Sequence, residues 1–158
     1  RLAETLLKVY GDLNNLQIRI ARLFNTYGPR YCIDDGRVII NFINQALKNK
    51  KLTIYGDGSQ TRSFCYVSDM VSGLIKLMDS TFKEPMNLGN DHEISILELA
   101  NFFKKKFDSE IEFDFHELPK DDPKFRKPSL YLARKYLDWE PKVNLSEGLE
   151  KTFSYYKR

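Results

Sequence analysis

The chain has 158 residues, 42% of them hydrophobic and 30% charged, and a net charge of +3. That length suits one domain with a sizeable core, and so small a charge makes no electrostatic case for nucleic acid or an anionic membrane as partner. No apolar run reaches the roughly eighteen residues that cross a bilayer, and the opening residues lack a signal-peptide pattern.

In chain order, Leu2 to Tyr10 carries apolar residues at Leu2, Leu6 and Val9, a helix ended by Gly11-Asp12. Asn14-Asn15 turns the chain into a strand from Leu16 to Phe24, which empties into the loop Tyr27-Gly28-Pro29. Val38, Ile39, Phe42, Ile43, Ala46 and Leu47 form one face of a helix that starts beside Gly36-Arg37. Leu52 to Tyr55 is a short strand, Gly56 to Ser59 a turn read as a hairpin tip, and Thr61 to Val67 a second strand. Ser68 is expected to cap a helix whose core face is Val71, Leu74, Ile75 and Met78. Pro85 to Asn90 is a brief apolar piece stopped by Gly-Asn, and Ser95 with Glu98 makes a capping box for a helix with Ile96, Ala100, Phe103 and Phe107 inward. Ile111, Phe113 and Phe115 alternate with polar residues as a half-exposed strand. Lys120 to Pro128 is a charged loop, and helices follow at Leu130 to Leu137 and Ser146 to Tyr156, with Trp139 as a packing anchor between them.

The chemistry concentrates where the strand ending at Phe24 meets its loop, since sites in α/β proteins collect past the carboxyl ends of strands. Asn25, Thr26 and Tyr27 stand there with Arg22, Arg30 and Arg37, whose forked guanidinium groups match phosphate and carboxylate oxygens. Arg37 sits at the positive end of a helix, where a cation opposes the macrodipole unless an anion lies between them. The expected ligand is an anionic small molecule. Gly56-Asp57-Gly58 lacks the Walker pattern, Ser68 and Ser95 read as caps, and His92 and His116 have no third partner at zinc spacing. Tyr10, Tyr27, Tyr55 and Tyr66 read as core or pocket walls, Asp121-Asp122 as a solvated pair, and Lys48 to Lys51 and Lys104 to Lys106 as helix ends. Cys32 and Cys65 lack metal spacing, Cys65 reads as buried, and the two thiols do not settle the compartment.

The runs RLFNTYGPR, DDGRVIINFINQAL, LTIYGDGSQTRSFCYVSD, MNLGN, RKPS and LDWEPKVNLSEGL, in this order, resemble the C-terminal half of the UDP-glucuronate decarboxylases (UDP-xylose synthases), extended short-chain dehydrogenases that act on nucleotide sugars. The resemblance implies an α/β fold, the last strands of a Rossmann-like sheet plus a small mixed α/β substrate domain. Residues 1–30 would then be the tail of the NAD-binding domain and 31–158 mostly the substrate domain. It implies substrate contacts from Asn25 to the diphosphate, from Arg62 and Arg126 to diphosphate and ribose, from Thr53 and Tyr55 around the uracil, and further from Val38, Asn41 and Asn87. Arg37 is implied to meet the sugar carboxylate or assist protonation, with Leu23, Phe24, Thr26 and Arg30 bordering NAD. The implied reaction oxidises C4 of UDP-glucuronate with NAD, loses CO₂ from the resulting β-keto acid, and returns the hydride to give UDP-xylose. The Tyr-x-x-x-Lys pair of that chemistry is placed before residue 1, so this chain alone is expected to be inactive. A homodimer is implied for the whole enzyme. A 4,6-dehydratase or a 4-epimerase shares most of this pocket, and a non-enzymatic nucleotide- or RNA-binding module is the reading from another class.

Overall fold

A computed structural model describes residues 2–107, 110–120, 123 and 125–157. The order is α1 (Leu2–Leu13), β1 (Ala21–Leu23), β2 (Thr26–Tyr27), α2 (Val38–Leu47), β3 (Leu52–Tyr55), β4 (Thr61–Ser63), β5 (Cys65–Tyr66), α3 (Val67–Asp79), β6 (Met86–Leu88), β7 (Glu93–Ser95), α4 (Ile96–Phe107), β8 (Phe113–His116), α5 (Tyr131–Leu137) and α6 (Leu145–Tyr156). Three ladders are parallel, β1 with β6, β2 with β5 and β3 with β8, while β4 and β7 are antiparallel. The fold is α/β, with each parallel pair joined through helical crossovers.

Two apolar clusters interleave along the chain. The first joins α2, β3, α4 and α6 around Phe42, Ile43, Leu52, Phe103 and Leu149, and the Phe42 and Phe103 rings meet edge to face at 5.6 Å. Burying a ring of that size contributes about 2–3 kcal/mol. The second cluster sets α3, β6 and α5 together through Met70, Leu77, Leu88, Ala133 and Trp139, with Ala21 of β1 against it. The material beside β1 therefore comes from well beyond residue 30, because the parallel partner of β1 is β6.

Several boundaries differ from the sequence expectation. The first helix runs through Gly11 to Leu13, because Gly11 serves close packing rather than termination: a Cβ there would stand 2.8 Å from Ile18 Cδ1. The strand expected from Leu16 forms a ladder only over Ala21–Leu23, since its partner β6 is three residues long. The expected strand Thr61 to Val67 splits into β4 and β5, which pair with different partners. For the same reason Gly56 to Ser59 is not a hairpin tip: β3 and β4 belong to separate ladders, and the turn instead accepts the first α4 amides, Leu97 N–H to Gly58 O at 3.0 Å and Ile96 N–H to Gln60 O at 3.1 Å. Ser68 lies inside α3, whose N-cap is Tyr66 with no side-chain cap. The capping box at α4 is formed, with Ser95 N–H donating to Glu98 Oε2 at 2.8 Å and Glu98 N–H to Ser95 Oγ at 3.1 Å.

The core face of α3 is the largest correction. Met70, Gly73 and Leu77 turn inward, whereas Val71, Leu74, Ile75 and Met78 are exposed. Gly73 admits the Trp139 indole against the helix, a Cβ there falling 2.8 Å from Trp139 Cε2, and the indole Nε1 donates to Ser72 Oγ at 2.9 Å. A hydropathy pattern gives glycine no weight, yet here it selects the buried stripe. Leu2, Leu6, Val9 and Leu13 of α1 are exposed as well. Among the described residues no helix is long and apolar enough to cross a membrane. The pair Asp121-Asp122 lies outside the described residues.

The two thiols differ in exposure. Cys65 is buried, and desolvation first, then the nearby Asp69 carboxylate, pushes its pKa up to about 12. Cys32 is exposed. Native chain treated with iodoacetamide is expected to gain one adduct, at Cys32, and two in denaturant, read by intact mass. Two adducts under native conditions would contradict this packing.

Candidate functional site

The carboxyl ends of β1 and β2, the N-terminus of α2, the outer edge of β3 and the strand β4 surround a cavity of about 500 Å³. Among the sequence candidates, Asn25, Thr26, Arg37, Val38, Asn41, Thr53, Tyr55 and Arg62 line it. Asn87, Arg126, Leu23, Phe24 and Arg30 do not. Asn87 Nδ2 donates to Ser129 O at 3.3 Å, while Arg126 O accepts from Ser63 Oγ at 3.4 Å. Leu23 is 54% exposed at the carboxyl end of β1, and Arg30 is exposed with a left-handed φ of 64°. Arg22, read as one of three anion-binding arginines, turns the other way. Its Nε and Nη2 donate to the two Glu4 carboxylate oxygens at 2.6 Å each, an ion pair across 18 residues that joins β1 to α1 and leaves the cavity to Arg37 and Arg62.

The cavity has one positive wall. Arg37 is the N-cap of α2, so the first amides of the helix, at Val38, Ile39 and Ile40, lack helical acceptors and belong to residues that line the space. The penalty for a cation at this position is met by Asp35, whose Oδ2 lies 3.0 Å from Arg37 Nε. Asn41 Nδ2 secures the turn by donating to Gly36 O at 2.7 Å. Arg62 approaches from β4, with Nη1 donating to Thr61 O at 2.8 Å and Pro123 O at 2.7 Å.

Opposite stands β3, paired on one side with β8. Its other edge is dressed by two glutamines: Thr53 N–H donates to Gln45 Oε1 at 3.2 Å and Thr53 Oγ1 accepts from Gln45 Nε2 at 2.8 Å. Tyr55 O accepts from Gln60 Nε2 at 2.8 Å. These amides act as a partial neighbouring strand and occupy the Thr53 N–H and the Tyr55 carbonyl. Deeper in, Tyr27, Phe64, Ile96 and Thr152 make an apolar floor. Burial first, then nearby Cys65, pushes the Tyr27 phenol well above its ordinary range, and burial likewise raises Tyr31 against the opposing Arg37 charge, so neither phenol is a base near neutral pH. The cavity thus combines a cationic wall, a glutamine-dressed strand edge and a largely apolar base.

Sequence reading missed Gln60, Tyr31 and Thr152. Gln60 stands two residues before Arg62 and had a local signal; Thr152 enters from α6 with none. Tyr131 and Lys135 share the Tyr-x-x-x-Lys spacing on α5, but Lys135 Nζ stands 5.6 Å over the Tyr131 ring and neither lines the cavity. Among the described residues no group of three or more His, Cys, Asp or Glu could hold a metal ion.

Comparison with known proteins gives consistent matches. Residues 1–89 match the NAD dependent epimerase/dehydratase family. The chain is 53% identical over 149 residues to UDP-glucuronic acid decarboxylase 3 of Arabidopsis thaliana, covering 94% of the chain and 44% of that protein. It is 48% identical over 158 residues to UDP-glucuronic acid decarboxylase 1 of Xenopus tropicalis, covering 100% and 38%. Among solved structures, UDP-glucose 4-epimerase of Thermotoga maritima, crystallised with UDP-glucose, superposes with a TM-score of 0.92 at 28% identity, covering 98% of the chain and 50% of its own. UDP-glucuronic acid 4-epimerase of Bacillus cereus, in complex with UDP-glucuronic acid and NAD, gives 0.88 at 32% identity, covering 98% and 49%. The chain thus spans less than half the length of these curated relatives.

Proposed function

The chain belongs to the NAD-dependent epimerase/dehydratase family, and from that premise we propose that it forms the nucleotide-sugar side of a UDP-glucuronate decarboxylase, converting UDP-glucuronate to UDP-xylose and CO₂. The observation that carries the reading is one cavity that sets Arg37, Arg62 and the α2 N-terminus against the Thr53-Tyr55 edge. In this assignment uracil pairs along β3, Arg62, Asn25 and the α2 amides bind the diphosphate, and Arg37 meets the sugar carboxylate. Val38 and Asn41 shape the wall between them, while Asn87 and Arg126 stand outside this cavity.

NAD supplies reversible hydride transfer at the sugar. No G-x-G-x-x-G run occurs in these 158 residues, so the fit to the dinucleotide is partial. Leu23, exposed at the end of β1, can wall a flat ring, beside Phe24, Thr26 and Arg30. The isolated chain accordingly binds nucleotide sugar without turning it over. In the whole protein we place β1, α3, β6 and α5 on the dinucleotide-binding side and the rest on the substrate side. The exposed apolar stripes of α1 and α3 fit burial in a homodimer.

A 4-epimerase is the second reading, favoured by the two epimerase superpositions. The two readings share the diphosphate site and, for a glucuronate epimerase, the sugar carboxylate as well; they part at its fate, kept by an epimerase and released as CO₂ by a decarboxylase. Calorimetric titration with UDP, UDP-glucose and UDP-glucuronate separates the roles. Arg62→Ala is expected to weaken all three ligands by about ten- to a hundredfold, and Arg37→Ala to weaken UDP-glucuronate selectively. Equal effects of Arg37→Ala on all three ligands would overturn its assignment to the carboxylate.

A further inference from the structure

We infer that Tyr31 is a positioning residue for recognition of the sugar carboxylate, acting by holding the Arg37 guanidinium at the cavity mouth; this inference rests on the substrate reading above. The Arg37 side chain is 62% exposed, and a long cation at such a position samples many rotamers unless something restrains it. Two groups do so. Arg37 Cζ lies 5.5 Å from the centroid of the Tyr31 ring, within cation–π range, and Asp35 takes the Nε edge at 3.0 Å. Together they hold the guanidinium over the ring and by its Nε edge.

The backbone that carries the ring is anchored from far away in sequence. Tyr156, in the last turn of α6, donates its hydroxyl to Tyr31 O at 2.6 Å. Between Tyr31 and Arg37 the backbone makes one turn bond, Asp35 N–H to Cys32 O at 3.2 Å, and Asn41 closes the far end at Gly36. The loop is therefore fixed where the ring leaves it and where Arg37 leaves it. A carboxylate entering the cavity meets an oriented fork rather than a mobile charge, and the entropy of ordering Arg37 is already spent before binding. The side chain that sets selectivity between acidic and neutral sugars then includes Tyr31, although the ring has no charge to offer the ligand.

The test uses the 158-residue chain with Tyr31→Leu and Tyr31→Phe, titrated with UDP-glucuronate and UDP-glucose. Tyr31→Leu is expected to reduce the glucuronate-to-glucose affinity ratio about three- to fivefold with UDP-glucose affinity unchanged, and Tyr31→Phe, which keeps the ring, to restore it. A ligand-free readout accompanies this. The Arg37 side-chain resonances are expected to carry a ring-current shift that Tyr31→Leu abolishes and Tyr31→Phe retains. An intact ratio or an intact shift in Tyr31→Leu overturns the inference, as does equal weakening of both ligands or a Tyr31→Phe variant that behaves like Tyr31→Leu. An unaltered chain that does not distinguish the two sugars overturns the substrate reading as well, whereas one that does, with Tyr31→Leu inert, overturns this inference alone.

Discussion

Gly148→Ala is expected to destabilise the chain by about 1–3 kcal/mol, lowering its melting temperature by roughly 3–10 °C, and to weaken nucleotide-sugar binding together with stability. Gly148 lies on the first turns of α6, where a Cβ would collide with the Tyr27 hydroxyl and stand 2.8 Å from Tyr27 Cζ and 3.0 Å from Tyr66 Cδ2. Tyr27 has nowhere to retreat. It is 4% exposed, meets Tyr66 at 5.5 Å and Phe64 at 6.4 Å between ring centroids, and its hydroxyl donates to Leu145 O at 3.5 Å. Any shift that relieves the clash moves a wall of the cavity. Tyr27→Phe removes the atom closest to the new methyl, so adding it to Gly148→Ala should recover part of the loss, a coupling that a double-mutant cycle reads directly. An unchanged melting temperature in Gly148→Ala would show that α6 does not press on the site.

The second large effect is expected at Asp69. This carboxylate is 7% exposed, and its Oδ2 accepts from two backbone amides beyond Trp139, Lys142 N–H at 2.9 Å and Val143 N–H at 2.8 Å. With the Trp139 indole donating to Asp69 O at 3.2 Å, it ties the link between α5 and α6 onto α3. Asp69→Ala leaves both amides without their acceptor and is expected to cost about 3 kcal/mol in urea unfolding, whereas Asp69→Asn keeps an oxygen in place and should cost about 1 kcal/mol. Equal losses in the two variants would mean that the carboxylate acts through its charge rather than as a shared acceptor. Because α6 carries Thr152 to the cavity and presses Gly148 against its Tyr27 wall, loss of this tie should also reduce ligand affinity in the folded fraction.

Local chemistry was legible in the sequence, and long-range pairing was not. The helix over Val38–Leu47 and the capping box of Ser95 and Glu98 rest on spacing within a few residues, and each takes its expected form; Asn25 lies past β1 at the cavity as expected, but Thr26 and Tyr27, read as the start of a loop, form β2 because they pair with Cys65 and Tyr66. Arg22 was misread because its partner Glu4 lies on another element, and nothing in the local pattern of β1 distinguishes an arginine turned to α1 from one turned to a ligand. The buried stripe of α3 was misread because Gly73, invisible to hydropathy, is where Trp139 docks. Gly56 to Ser59 has the composition of a hairpin tip, yet β3 and β4 pair elsewhere, and only the topology reveals that the turn receives α4. In the site itself, Arg37 and Arg62 were legible as forked cations beside turns. The residues that orient or frame them, Tyr31, Asp35 and the strand-capping Gln45 and Gln60, act through contacts that sequence spacing does not encode.

The most direct test of the proposed nucleotide-sugar site is a titration of the isotope-labelled chain with UDP, followed by amide and arginine side-chain resonances. Perturbations are expected at Thr53, Tyr55, Arg62 and the first α2 amides from Val38 to Ile40, with Asp91 and Arg134 unmoved in the separate open groove beside α5. A folded chain whose spectrum does not respond to UDP, or responds only around Asp91 and Arg134, would contradict the assignment.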